Sequence, residues 1–204
     1  MRIIGAIGKN GSGKDEVLKY LRDRYGVPFV STGDIVRSLA AEEGLEPTRE
    51  NLGAVSARWF ADHGPGCFVR LAAETIAANG WPVAGISGIR SADDVRLLKA
   101  ASGESFLLVH VLVSDDSVRL DRMTKRAAAR DPKDAAHFRA LDRREEELFR
   151  VSEAITIADH TIANDGTLAD LHAVIDRLVS GANLLAPGSA RPASRSEEDR
   201  GDPR

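Results

Sequence analysis

Short apolar runs alternate with longer amphipathic stretches along this chain, the pattern of buried strands separated by helices. Ile3 to Ile7 reads as a short buried strand, and after a glycine-rich turn Val17, Leu18, Leu21 and Tyr25 recur at helical spacing. Val27 to Val30 is a second strand, followed by a helix from Asp34 to Glu43 that Gly44 ends. Two helical stretches, Asn51 to Ala61 and Phe68 to Ala78, flank the turn His63-Gly64-Pro65-Gly66. Pro82 to Ser87 and Phe106 to Val113 are the third and fourth strands, separated by a helix starting near Ala92. A charged helical region from Asp115 to about Arg150 is broken at Asp131-Pro132, and His160 to Ala163 and Leu168 to Leu178 supply a fifth strand and a last helix. Strands alternating with helices predict an α/β fold with a five-stranded parallel sheet covered on both faces, and ligands at the carboxyl ends of the strands.

Composition narrows the class. The 204 residues are 43% hydrophobic and 29% charged, which fits a globular chain with a core of its own. A formal net charge of -3 gives no overall positive field to draw in nucleic acid or anionic lipid, so any phosphate-binding charge has to be local. Cys67 is the single cysteine, which excludes an intrachain disulfide framework and a zinc site of several thiolates. No apolar run is long enough to span a membrane, and the chain reads as cytoplasmic. Ala186 to Arg204 carries no Ile, Leu, Val or aromatic residue and reads as a disordered tail.

The strongest chemical signal is Gly8-Lys9-Asn10-Gly11-Ser12-Gly13-Lys14, which fits the G-x-x-x-x-G-K part of a P-loop between a predicted strand and a predicted helix. Its glycines let backbone N–H groups turn around a phosphate while the helix dipole and Lys14 meet the negative charge. Asp15 stands where Ser or Thr normally offers a hydroxyl to Mg²⁺. It reads either as a carboxylate ligand to that ion or as an acidic residue favoured by the first helical turn. Ser31-Thr32-Gly33-Asp34-Ile35-Val36-Arg37 is the second signal. Taken locally, Ser31 and Asp34 have capping-box spacing and Arg37 can pair with Asp34.

With those two segments, the chain resembles the adenylate-kinase-like nucleoside monophosphate kinases. The resemblance runs from about Arg2 to Leu178 and implies that Thr32 and Arg37 contact an acceptor monophosphate while Asp34 assists the metal. Ser87-Gly88-Ile89-Arg90 stands where that family has a longer Asp-Gly turn. This short form is similar to nucleotide kinases of a dephospho-CoA-kinase-like branch, and it makes Arg90 a further acceptor-phosphate contact.

Arg119, Arg122, Arg126 and Arg130 are spaced to share one helix face. Such a row is either solvated and balanced by Asp115, Asp116 and Asp121, or, as the resemblance implies for Arg126 and Arg130, closes over phosphoryl groups. Arg144 resembles the arginine that follows the lid. The loop Asn164-Asp165-Gly166-Thr167 has local helix-start spacing, and in the resembled family lies against the donor adenine, which assigns Asn164 and Gly166 to the nucleotide. His110 and Cys67 read as core residues, and Trp59 and Phe60 as either core or the lining of an acceptor-base pocket.

These readings together predict a P-loop three-layer sandwich over residues 1–185, with a helical acceptor-binding flap at 34–79, a small lid at 126–142 and a tail at 186–204. The resemblance implies ATP-dependent conversion of a nucleoside monophosphate to its diphosphate. On that reading Gly8, Asn10, Gly11, Ser12, Gly13, Lys14 and Asp15 hold ATP, Lys14, Arg90, Arg126, Arg130 and Arg144 act in transfer, and Asp15 and Asp34 meet Mg²⁺. Two alternatives remain open: a hydroxyl kinase using Asp34, and an ATP-binding switch without transfer, suggested by Asp15 and Ser87. The expected partner is a small-molecule nucleotide acceptor, with no nucleic acid and no membrane.

Overall fold

The structure is a computed structural model that describes residues 1–126, 131–181 and 185. Its sheet contains β1 (Arg2–Ile7), β2 (Phe29–Ser31), β3 (Val83–Ser87), β4 (Phe106–Leu112) and β5 (His160–Ala163). All are parallel, in the order β2-β3-β1-β4-β5. The helices are α1 (Lys14–Tyr25), α2 (Thr32–Glu42), α3 (Arg49–His63), α4 (Cys67–Ala78), α5 (Ala92–Ser102), α6 (Asp116–Arg126), α7 (Ala135–Phe149), α8 (Val151–Thr156) and α9 (Leu168–Gly181). The α/β class and the five-stranded parallel sheet are those predicted by the alternation of the chain.

Successive strand residues face opposite sides of a sheet, and both sides here are apolar. Ile3, Ile7, Ala84, Ile86, Phe106 and Leu108 build one core with α4, α5 and α8. Ile4, Ala6, Val83, Val109, Val111 and Ile162 build the other with α1 and α9. Helices α2, α3 and α4 enclose a third core around Val36, Val55, Cys67 and Phe68. Among the described residues no helix is long and apolar enough to cross a membrane.

Several predicted boundaries move, and α3 runs Arg49–His63 where Asn51 to Ala61 was expected. β2 is Phe29–Ser31, not Val27 to Val30: the Pro28 carbonyl accepts the Gly85 N–H at 2.8 Å, but Pro28 has no N–H to return. α2 begins at Thr32, two residues before the predicted start, and Ser31 precedes it without a side-chain cap hydrogen bond. The predicted helical region ending near Arg150 is followed by α8, because Arg150 takes a left-handed conformation (φ 51°) that closes α7 and opens a second short helix. The tail from Ala186 and the residue Arg130 lie outside the described residues.

Candidate active site

The sheet register gathers the site. Ala6 of β1 is aligned with Ser87 of β3, and Ser87 with Ser31 of β2, so the turns after these three strands emerge side by side at the carboxyl ends. The strand-loop-helix context required of the P-loop is present: Gly8 to Gly13 joins β1 to α1, whose first residue is Lys14. Gly13 caps α1 at φ 90°, a conformation that L side chains rarely adopt. A side chain at Gly11 would meet the Arg119 carbonyl of α6 at 2.9 Å. The Ser12 hydroxyl is buried and has no hydrogen-bond partner in the protein. A close-packed glycine cradle with an orphaned hydroxyl fits a bound phosphate group.

The P-loop is tied to three elements. The Asn10 side-chain amide donates to the Glu145 carboxylate of α7 at 2.7 Å. The Arg119 guanidinium donates to the Asn10 carbonyl at 2.9 Å. From the loop after β5, Asn164 Nδ2 donates to the Ser12 carbonyl at 2.8 Å. The Asn164 side chain therefore holds the P-loop main chain, which leaves only the backbone of its loop to face a donor base. The Gly166 carbonyl accepts from Arg122 Nη2 at 3.1 Å, and the loop is joined to the end of β4 by Asp165, which accepts from the Ser114 N–H at 2.7 Å.

On the other side of β1, Thr32 Oγ1 donates to the Gly88 carbonyl at 3.3 Å, which joins the turn after β2 to the turn after β3. Asp34 and Arg37 form the local pair that their spacing suggested, through Arg37 Nε and Nη2 to Asp34 Oδ1. The pair stays largely in solvent, with side-chain exposures of 65% and 41%. The Arg90 guanidinium lies over the Phe149 ring at 5.1 Å, a cation–π contact, and its backbone is fixed by the Asp94 carboxylate, which accepts the Arg90 and Ser91 N–H groups at 3.0 Å each.

The arginine row of α6 is divided by burial. Arg119 is 1% exposed, so it belongs neither to a solvated face nor to an open phosphate clamp. Arg122 is half-buried and Arg126 exposed. Arg126 donates to both oxygens of the buried Asp131, which holds it charged, and the negative Asp15 and Glu16 act in the same direction. Arg126 therefore stands across from the first turn of α1. Arg144 is exposed on α7. The arginines of α7 that line the cavity of about 360 Å³ beside Lys9 are instead Arg139 and Arg143, together with Asp142 and Glu145. Neither is singled out by the sequence motifs; their spacing of four, which puts them on one helix face, is the signal that could have found them.

Among the described residues, no group of three or more His, Cys, Asp or Glu side chains converges as a metal site. A magnesium ion needs no such cluster, since it commonly uses only one or two protein carboxylates. Asp15 is next to Lys14 and half-buried, and Glu145 reaches the P-loop through Asn10, whereas Asp34 is engaged by Arg37. Trp59 stacks on His63 at 4.2 Å, and Phe60 meets Phe68 edge-on at 5.3 Å, so both aromatic residues pack in the third core. Cys67 is buried there, and burial pushes its thiol up. A second hollow of about 530 Å³ between α5 and α8 includes Val95, Lys99 and Ile157 in its lining and shares no residue with the P-loop.

Residues 7–139 match the family model described as AAA domain, a span that takes in the P-loop and both neighbouring turns. A UPF0200 protein of Thermococcus sibiricus is 32% identical over 178 residues, covering 86% of this chain and 93% of that one. The chain belongs to the AAA domain family and to the UPF0200 proteins. Among solved structures, a sugar kinase from Janibacter sp. HTCC2649 is similar at a TM-score of 0.58 and 18% identity, over 94% of this chain and 99% of that one. Shikimate kinase from Acinetobacter baumannii, solved with shikimate, is similar at 0.56 and 17%, over 91% and 96%. The likeness is one of fold, and that fold is the P-loop kinase fold.

Proposed function

We propose that this protein is an ATP-dependent phosphotransferase that converts a nucleoside monophosphate to its diphosphate. The observation that carries the reading is the alignment of Ala6, Ser31 and Ser87, which sets the P-loop beside the start of α2 and the turn after β3, and these bring Arg37 and Arg90. Cationic groups on the acceptor side suit an acceptor that is itself a phosphate. Both arginines are held by partners at the surface, not by buried carboxylates, so they can turn onto a substrate at small cost.

In this reading the P-loop amides and Lys14 hold the ATP phosphates, residues 34–79 form the acceptor flap, and residues 126–142 form the lid. An acceptor phosphate oxygen forms a bond to the γ-phosphorus, the bond to the bridging oxygen breaks, and ADP leaves with the electron pair. The acceptor is already anionic, so positioning and charge neutralisation carry the reaction without a strong base. Lys14 meets the charge that grows on the bridging and outer oxygens. Arg126, released from Asp131 or turned with it, is poised across Asp15 for the equatorial oxygens, with Arg139 and Arg143 at the adjoining cavity. A magnesium ion carried by the nucleotide would neutralise phosphate charge, with Asp15 as the carboxylate available to it.

Coupled turnover with a panel of nucleoside monophosphates and unphosphorylated polyols tests the assignment. Arg37→Ala and Arg90→Ala are expected to raise the KM for a monophosphate by tenfold or more and that for ATP by less than threefold. Equal effects on both substrates, or turnover confined to an unphosphorylated hydroxyl, would overturn the monophosphate assignment.

A further inference from the structure

We infer that Arg119 and Asn164 are positioning residues that aim the Gly11 and Gly13 N–H groups into the phosphate cradle, an inference that rests on the nucleotide-binding reading of the P-loop. Arg119 makes five hydrogen bonds from a fully buried side chain. Nε and Nη2 donate to Asp116 Oδ1 at 3.1 and 2.7 Å, Nη1 donates to Asp142 Oδ1 at 3.2 Å and Nη2 to Asp142 Oδ2, and Nη1 donates to the Asn10 carbonyl at 2.9 Å. A guanidinium has five N–H donors, so all are spent. Phe138 covers its face at 4.7 Å. Such a group is fixed in direction, and one of its donors is fixed on the P-loop main chain.

The consequence follows from peptide geometry. The structure has no cis peptide bond among the described residues, and in a planar trans unit the C=O and the following N–H point in opposite directions. Holding the Asn10 carbonyl toward α6 turns the Gly11 N–H away from α6. Asn164, 6% exposed, does the same two peptides further on: its grip on the Ser12 carbonyl at 2.8 Å turns the Gly13 N–H away from β5. A side chain at Gly13 would come within 2.4 Å of Asn164 Nδ2, so the grip requires glycine there. The intervening Ser12 N–H folds back onto the Lys9 carbonyl at 3.1 Å. The loop amides on either side of it are thus oriented from outside the loop, one by α6 and one by the β5–α9 turn.

Arg119 lends the phosphate no net positive charge, because Asp116 and Asp142 outnumber it. Its effect is on direction, and an anion nest formed before the ligand arrives avoids the cost of organising it on binding. This separates Arg119 from Lys14 and Arg126, to which the phosphotransfer reading gives direct contact with the phosphates.

The test needs no turnover. The full chain, labelled with ¹⁵N-glycine, is titrated with inorganic tripolyphosphate and Mg²⁺ and read by proton-nitrogen correlation spectra. In the unmodified protein the Gly11 and Gly13 amides are expected among those that move most. Asn164→Ala should weaken tripolyphosphate at least tenfold and abolish the Gly13 response while keeping that of Gly11. Arg119→Lys, which retains charge but not the five-donor fork, should reverse the pattern. If both variants bind as the unmodified chain does, with both glycines responding, the inference is overturned while the phosphotransfer reading stands. If the unmodified protein binds no tripolyphosphate, both fail. Should a variant not fold, the unmodified chain still decides, since strong binding that leaves Gly11 and Gly13 unmoved overturns the inference.

Discussion

Asn10 in the P-loop donates its side-chain amide to Glu145 in α7 at 2.7 Å, across 135 residues of sequence. This bond, beside the Arg119 node, fastens α7, whose first half falls within the proposed lid, to the loop that would hold the nucleotide. Because the acceptor is a carboxylate and both groups are half-buried, the bond contributes about 1–2 kcal/mol. Glu145→Ala is expected to lower Tm by roughly 2–8 °C for a chain of this size. An unchanged thermal melt would show that the tether carries no stability.

The turn after β3 gives a sharper prediction. Gly88 has φ 86°, and a Cβ there would lie 2.0 Å from Thr32 Oγ1. Gly88→Ala therefore combines a left-handed penalty of about 1–2 kcal/mol with displacement of the Thr32 side chain. The urea midpoint should fall, and the Thr32–Gly88 link between the two acceptor-side turns should open. A Gly88→Ala protein of unaltered midpoint would contradict the close approach.

His110 provides a dependence on pH. It is buried in β4, its Nδ1 3.4 Å from Thr161 Oγ1, and burial lowers its pKa below the ordinary histidine value of 6.5. The unfolded chain then binds a proton at a pH where the native chain does not. Stability present above 6.5 is lost as pH falls toward the depressed native value. Urea midpoints between pH 7.5 and 5 should decline less steeply in His110→Gln than in the unmodified protein. Identical slopes would show that His110 does not titrate between the two states.

Much of the fold was legible because parallel strands are covered on both faces and so appear as continuous apolar runs, as Ile3 to Ile7 and Phe106 to Val113 do. The P-loop was legible because its chemistry is local: glycines and a lysine at fixed spacing at a strand-to-helix turn. What escaped was long-range. Arg119 looks in sequence like one member of an exposed row with Asp116 nearby, but its burial depends on Asp142 and on the Asn10 carbonyl, 23 and 109 residues away. The Asn164 side chain carried no assignment of its own in the sequence, because nothing local points to Ser12, 152 residues earlier. α8 was missed since it depends on the backbone of Arg150, a residue type with no preference for the left-handed conformation that it adopts.

The central claim, transfer of the γ-phosphoryl of ATP at this P-loop to a nucleoside monophosphate, is tested most directly by following phosphorus resonances of ATP, Mg²⁺ and a mixture of nucleoside monophosphates with the unmodified protein and with Lys14→Ala. The account predicts a new nucleoside diphosphate besides ADP, formed at least 10²-fold more slowly by Lys14→Ala, a loss of about 3 kcal/mol of transition-state stabilisation. Formation of ADP and inorganic phosphate without a second diphosphate, or equal rates from a folded Lys14→Ala protein, would contradict it.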